Sequence, residues 1–344
     1  MQMENIAPDT ARPQRVIGVA ASAGGVEALQ QLVRQLPEDL DAAVCVVLHI
    51  PSNGRSLLAP ILDRASRLEV VLAEHRARLR AGVVYVAPAD HHLLVRSDRI
   101  ELSSGPKENG VRPAADPMFR SLARSWGSAA VAVVLSGALD DGAAGALAVA
   151  QGGGYVMVQD PDDALVPGMP ASALAVSPVH DVLPLAEMGD ALIRLARAPL
   201  DELGEEERLS AEPDPAEMRL GPNRPDGAAS GFTCPECSGA LWELRDGELV
   251  RYRCRVGHSY SEDAMVSAQG TAVEAALWTA LEVLEERGEL LQRMAKRMQD
   301  QSRSHRRFAQ GAREAEERAA TIRRILHNSD AHAGETVAAE GATS

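Results

Sequence analysis

The chain has 344 residues, room for about two domains, with a formal net charge of -14 and only 3% aromatic residues. Phosphate backbones attract basic faces and nucleobases stack on rings, so this composition argues against a nucleic-acid partner. Hydrophobic residues still reach 45%, so the core must be aliphatic, built from Ala, Val and Leu.

No stretch approaches the roughly 18 apolar residues of a membrane span. The opening MQMENIAPDTARPQ lacks the charged-then-apolar order of a signal peptide. The expectation is a cytoplasmic protein without direct membrane insertion. Three of the four cysteines, Cys234, Cys237 and Cys254, fall within 21 positions. A disulfide framework would spread them differently, and a reducing compartment would not support one.

Taken in chain order, residues 1–14 read as a disordered start. Val16–Ala20 is a buried strand, followed by Ser-Ala-Gly-Gly and a helical pattern through Leu36. Ala43–His49 is a second apolar run, and Leu57–Arg67 is helical. Val83–Ala87, His92–Arg96 and Ile100–Ser103 resemble short strands separated by turn residues. Met118–Ser125 is helical, Ala129–Leu135 a buried strand, Gly142–Gln151 helical and Tyr155–Gln159 a strand, before the loop Pro161–Pro170. Apolar strand, turn, helix, apolar strand marks a parallel sheet covered on both faces. The fold expected over 15–198 is therefore doubly wound α/β, mainly parallel, with an antiparallel hairpin portion.

Residues 199–230, with EEER, EPDPAE and GPNRPDG, suit an acidic flexible linker. A compact Cys/His segment occupies 231–261. Over 262–328, Val273, Leu277, Leu281, Leu284, Leu291, Met294 and Met298 recur mostly every three or four residues, the pattern of a helical hairpin or coiled segment. Gly288 and Gly311 weaken it, and Asp300–Ser304 suits a turn. Residues 329–344 read as a disordered tail.

Three polar residues follow three of the apolar strands. Ser22 sits just past the first strand, where Gly24-Gly25 opens a helix whose free N–H groups suit an oxyanion. His49 lies 27 residues later, at the carboxyl end of the second strand. Asp140 and Asp141 close LSGALDDG, after the strand Ala129–Leu135. Carboxyl ends of neighbouring parallel strands share one rim, the edge where open α/β sheets bind ligands. A nucleophile, a base and an orienting carboxylate on that rim follow triad logic. Each residue also has a plainer reading: Ser22 as a helix cap or anion-binding turn, His49 as structural, Asp140-Asp141-Gly142 as a helix start. Position alone leaves both readings open. The order Ser–His–Asp is not that of α/β-hydrolases, and GVAASAGG matches no dinucleotide fingerprint.

The blocks IGVAASAGGVEAL, VVLHIP, VYVAPADHHL, LSGALDDGAAG and QDPDDALVPGMP, in this order and spacing, resemble the catalytic domain of chemotaxis protein-glutamate methylesterases of the CheB type. The resemblance covers about Val16 to Leu195. It implies that Ser22, His49 and Asp141 form the triad, with Asp141, ahead of Gly142, as the acid. It also implies hydrolysis of glutamate γ-methyl esters on chemoreceptor cytoplasmic domains, with methanol released, glutamine deamidation as a side activity, and other chemosensory signalling proteins as partners. No cofactor is needed for that chemistry. Three departures stand out: no receiver domain precedes Ser22, Ala23 replaces a frequent Thr, and Ala138-Leu139 replaces Met-Gly. They leave a second reading, a catalytically weak or inactive regulatory or protein-binding module. Arg112 and Met169 are further candidates for substrate contact.

Cys234-Pro-Glu-Cys237 and Cys254-Arg-Val-Gly-His258 give Cys-x2-Cys, a 16-residue gap and Cys-x3-His. Three thiolates and an imidazole make a closed tetrahedral Zn2+ site, and WELRDGEL between the halves reads as a zinc-ribbon hairpin turning at Asp246-Gly247. A full protein ligand set points to structural zinc. Cys45, inside a strand, is expected in the core. The terminal helices suit self-association.

Overall fold

The computed structural model describes residues 12–49, 57–200, 225, 227–246, 249–298 and 302–340, with residues 246, 302 and 328–340 described by backbone only. The expected disordered start and acidic linker lie largely outside these residues. The chain divides into two compact units, Met1–Met265 and Val266–Ser344.

The first unit is built on strands β1 (Arg15–Ala21), β2 (Ala42–Leu48), β3 (Glu69–Leu72) and β4 (Val83–Val86), then β5 (His92–Arg96), β6 (Arg99–Ser103), β7 (Ala130–Val134), β8 (Tyr155–Gln159) and β9 (Asp181–Leu183). Between them run helices α1 (Gly25–Gln35), α2 (Leu58–Ala65), α3 (Ala115–Trp126), α4 (Ala143–Gln151), α5 (Gly168–Val176) and α6 (Leu185–Arg197). Seven strands form one sheet in the order β3-β4-β2-β1-β7-β8-β9, and every pairing in it is parallel. The antiparallel pair β5–β6 stands outside it as a separate two-stranded sheet.

Both faces of the sheet are buried, which is why its central strands are continuous Ala/Val runs and do not alternate with polar residues. Side-chain alternation still sorts them. Ile17, Val19, Val44 and Val46 join Leu29, Leu32, Leu62 and Leu192 on one face, under α1, α2 and α6. Val16, Ala20, Cys45 and Val47 join Met118, Phe119, Leu122 and Met169 on the other, under α3 and α5. Each fully buried Val or Leu contributes roughly 1.5–3 kcal/mol of transfer free energy, before ordering costs. Cys45 is core, as expected.

Several boundaries differ from the sequence pattern. β3 is an edge strand of four residues with both ends, Glu69 and Leu72, exposed, so it lacks the long buried run of the central strands. α3 begins three residues earlier than the apolar periodicity, at Ala115, since Pro117 is tolerated in a first turn. α5 starts inside the expected loop, again with a proline, Pro170, near its start.

Four further strands, β10 (Ala228–Thr233), β11 (Ala240–Asp246), β12 (Leu249–Cys254) and β13 (Ser259–Ser261), pair antiparallel in that order. The β11–β12 hairpin runs to the pair Asp246–Leu249, and the expected turn at 247 lies outside the described residues. This sheet belongs to the first unit. Glu108, buried, forms a parallel bridge with Ser259, pairs with Arg120 at 2.7 Å and stands 3.9 Å from Arg251 of β12.

The second unit is a helical hairpin. α7 (Glu262–Arg297) begins in the first unit and supplies one arm; α8 (Ser302–Glu340) supplies the other. Leu281, Ala319 and Leu326 form its seam with Leu277, Leu284 and Ile322. Arg323 bonds Glu285 and Gln292 bonds Glu316, so the arms run antiparallel. α8 continues to Glu340, past the tail boundary expected at 329, because that stretch carries no proline and is rich in Ala and Glu.

Candidate active site and metal centre

The rim is made by β2, β1 and β7, three adjacent strands. Ala21 of β1 is in register with Leu48 of β2, so Ser22 and His49 are the next residues along the two strands. His49 N–H donates to the Ala21 carbonyl at 3.2 Å, and Ser22 N–H donates to the Ser136 carbonyl, just beyond β7, at 3.0 Å. Backbone bonds thus fix the end of the strand on both sides, at Ala21 toward β2 and at Ser22 toward β7. Gly24 at φ 72 provides the left-handed turn that ends the strand segment and starts α1 at Gly25, placing a helix N-terminus directly after Ser22. Gly137 must also be glycine: a Cβ there would lie 2.9 Å from Ser22 Cβ and 2.1 Å from Met169 Sδ.

His49 Nε2 stands 2.6 Å from Asp141 Oδ2. An ionised carboxylate only accepts, so Nε2 carries the hydrogen and Nδ1 of the neutral ring holds the lone pair. Asp141 is buried, and each of its oxygens has further donors. Oδ2 accepts the Ala115 N–H at 2.6 Å; Oδ1 accepts Asn109 Nδ2 at 3.1 Å and the Asp116 N–H at 3.3 Å. Burial alone would raise its pKa, but the hydrogen bond from His49 and the charge of that ring when protonated, with Ala115 and Asn109, hold it below the usual carboxylate range.

Beneath it lies a second buried carboxylate. Asp116 Oδ1 accepts the N–H groups of Gly142 and Gly145 at 3.0 and 2.7 Å, capping the start of α4 from α3. Burial, with Asp141 and Glu108 nearby, pushes Asp116 well up.

Ser22, His49 and Asp141 therefore occupy one rim, with the His–Asp pair in contact. A family model described as CheB methylesterase matches residues 17–192. The chain belongs to the CheB methylesterase family. It is 37% identical over 183 residues to protein-glutamate methylesterase FrzG of Myxococcus xanthus, covering 53% of this chain and 55% of that protein. It is 41% identical over 188 residues to a protein-glutamate methylesterase/protein-glutamine glutaminase of a Nocardioides species, covering 53% and 51%. The crystal structure of the Thermotoga maritima CheB methylesterase catalytic domain superimposes with a TM-score of 0.51 at 34% identity, covering 53% of this chain and 98% of that one. The chain spans about half the length of the curated relatives it matches.

Within this CheB domain two expected substrate contacts are engaged elsewhere. Arg112 donates to Asp90 Oδ1 and to the carbonyls of Ser104 and Gly105, bracing its loop. Met169 is fully buried against Gly137, under the rim. Leu139, one of the departures from the family pattern, stands 41% exposed at φ 62 in the loop leading to Asp141.

Asn109, Ala115 and Asp116 escaped the sequence reading. Asn109-Gly110 looks like any turn, and Ala115-Asp116 like any helix start; nothing local says that Asn109 meets a residue 32 positions on, or that Ala115 and Asp116 meet the same one 26 and 25 positions on.

Cys234, Cys237, Cys254 and His258 form one cluster, their ligand atoms all within 4.8 Å of one another. Cys234 Sγ and Cys254 Sγ each lie 3.6 Å from His258 Nδ1, and Cys237 Sγ lies 3.7 Å from Cys254 Sγ. A zinc tetrahedron with legs of about 2.3 Å to sulfur and about 2.0 Å to nitrogen has edges of roughly 3.8 and 3.5 Å. The donor set and its separations fit that ion.

Asp140, next to Asp141, receives the Ser261 hydroxyl at 2.7 Å. Burial, aided by the charges of Asp141 and Asp263 against that hydrogen bond, lifts its pKa to about 6. With an unfolded value of about 3.9, the folded state binds more protons over that window, so Asp140's contribution to stability is full below about pH 4 and lost above about pH 6. Asp140→Asn keeps the acceptor and removes the charge. Relative to wild type it should gain about 1 kcal/mol in denaturant unfolding between pH 4 and pH 6.5, discounted for partial exposure. A difference that does not change with pH would contradict the assignment.

Proposed function

We propose that the protein is a serine hydrolase that removes methyl groups from glutamate γ-methyl esters of chemoreceptor cytoplasmic domains, with glutamine deamidation as a side activity. The observation that carries this reading is the 2.6 Å His49–Asp141 contact beside Ser22 in a CheB-family domain. The printed names of the relatives supply the substrate class.

Ser22 Oγ attacks the ester carbonyl while His49 Nδ1 takes its proton, and Asp141 stabilises the imidazolium. The N-terminus of α1 faces the developing oxyanion. The tetrahedral intermediate collapses, the C–O bond to the methoxy group breaks, and His49 protonates the departing group as methanol. Water, deprotonated by the same His49, attacks the acyl-enzyme; release of Ser22 leaves the glutamate carboxylate. This chemistry uses no cofactor.

The Cys234/Cys237/Cys254/His258 cluster is proposed to hold structural Zn2+, which cross-links the ends of β12 and β13 to the Cys234–Cys237 turn. Chemosensory signalling proteins are the proposed partners, the cytoplasm the proposed location. Among the described residues no helix is long and apolar enough to cross a membrane. Val273, Trp278, Val283 and Leu290, exposed on α7, support self-association through the C-terminal helices.

Methanol release from methylated receptor cytoplasmic domains should be measurable with the wild-type protein and fall by at least about a thousandfold in Ser22→Ala. Turnover that survives in Ser22→Ala would refute the nucleophile assignment. Elemental analysis should find one zinc per chain, and Cys237→Ser should lose it readily to a chelator; a metal-free wild type that keeps the same thermal unfolding would refute a structural ion.

A further inference from the structure

The segment Lys107–Val111 touches both the triad acid and the Cys/His sheet. Glu108 and Val111 exchange backbone hydrogen bonds at 3.2 and 3.0 Å, and Asn109 (φ 53) and Gly110 (φ 76) between them both take positive φ. This is the pattern of a type I′ turn, which favours Asn-Gly.

The turn aims Asn109 in two directions. On one side, Nδ2 donates to Asp141 Oδ1 at 3.1 Å and to Asp116 Oδ2 at 3.2 Å. On the other, Oδ1 accepts the Ser261 N–H at 3.1 Å, and the Asn109 N–H donates to the Ser259 carbonyl at 2.8 Å. Ser259 and Ser261 are the buried ends of β13. The Ser261 hydroxyl then reaches Asp140, the residue before the triad acid. Of the four donors on Asp141, His49 is the reacting base and Ala115 and Asp116 belong to α3; Asn109 alone of these is held from the Cys/His sheet.

Two of the four metal-ligand candidates flank the turn that leads into the same strand. Cys254 ends β12, and His258 immediately precedes Ser259. Small sheets of this kind depend on their ion for a fixed shape. An ion held by these residues would fix where β13 lies, and β13 bonds Asn109.

We infer that Asn109 is a positioning residue for the triad acid, held by β13, so that metal loading of the Cys3His cluster sets the catalytic competence of Ser22. This rests on the roles proposed above for Ser22, His49, Asp141 and the metal centre. A hydrogen bond to a charged group has the strength to change a rate by about 10- to 100-fold. Metal state and active site are then coupled energetically, through a contiguous set of hydrogen bonds with named members.

The test uses full-length protein and a fluorophosphonate probe, which needs no receptor. Ser22 Oγ forms a bond to phosphorus, fluoride leaves, and His49 takes the serine proton. The maximal labelling rate and the half-saturating probe concentration are measured with zinc and after its removal, in wild type and in Asn109→Gly, a change that suits the positive φ. In parallel, NMR follows the His49 ring resonances.

Zinc removal should lower the maximal rate of wild type by about 10- to 100-fold with the half-saturating concentration unchanged. Asn109→Gly with zinc should show a similar loss, and removing zinc from it should add little, since both changes break one chain of contacts. The His49 resonances should move on zinc removal in wild type and not in Asn109→Gly. Zinc-insensitive rates and resonances, a rate that rises without zinc, or two losses that multiply would each overturn the proposal. If wild type is not labelled at Ser22, the nucleophile assignment has failed, and the His49 resonances alone decide the coupling.

Discussion

A buried carboxylate bonded to a histidine governs the architecture around it. Removing Asp141 from water would cost several kcal/mol without compensation. The protein offsets this with four donors: His49, Asn109 and the N–H groups of Ala115 and Asp116. Each must arrive from a different place in the chain. His49 comes from the end of β2, Asn109 from a tight turn, and the two amides from the start of α3, where a helix has N–H groups to spare. The fold can be read as the arrangement that brings these donors to one point, with the other ring nitrogen of His49 left to the base role proposed for it.

Parallel strand order makes this possible. With β1 between β2 and β7, residues distant in sequence emerge side by side at the carboxyl rim, and the crossover helices keep water from the sheet's faces. Ser22 bonds the backbone just beyond β7, and Ala21 before it bonds His49 at the end of β2, so the place of Ser22 depends on the sheet. The Cys/His sheet extends this wiring. Its strand β13 bonds Asn109 and Asp140, which joins the Cys/His cluster to the carboxylate network within one compact unit.

The strand ends were legible in the sequence because strands buried on both faces read as uninterrupted Ala/Val runs, and the polar residue ending each run is conspicuous. Ser22, His49 and Asp141 stood out for that reason. The Cys/His cluster was legible from spacing, since structural zinc sites typically draw their ligands from two closely spaced pairs. What stayed hidden depended on long-range contact. Asn109 looked like a turn residue, and its bond to Ser261 crosses 152 positions. Asp116 looked like an ordinary helix-start acid, though it caps a different helix. Arg112 and Met169 seemed available for substrate until packing assigned them to Asp90 and Gly137. The edge strand β3 was missed because it has only four residues, with both ends exposed.

The most direct test of the account is a double-mutant cycle on His49 and Asp141, measured as methanol release from a methylated receptor domain. The two residues are proposed to act as one unit, so His49→Ala and Asp141→Asn combined should be little worse than His49→Ala alone. Losses that multiply in the double variant would mean that Asp141 does not act through His49, and the triad assignment would fall.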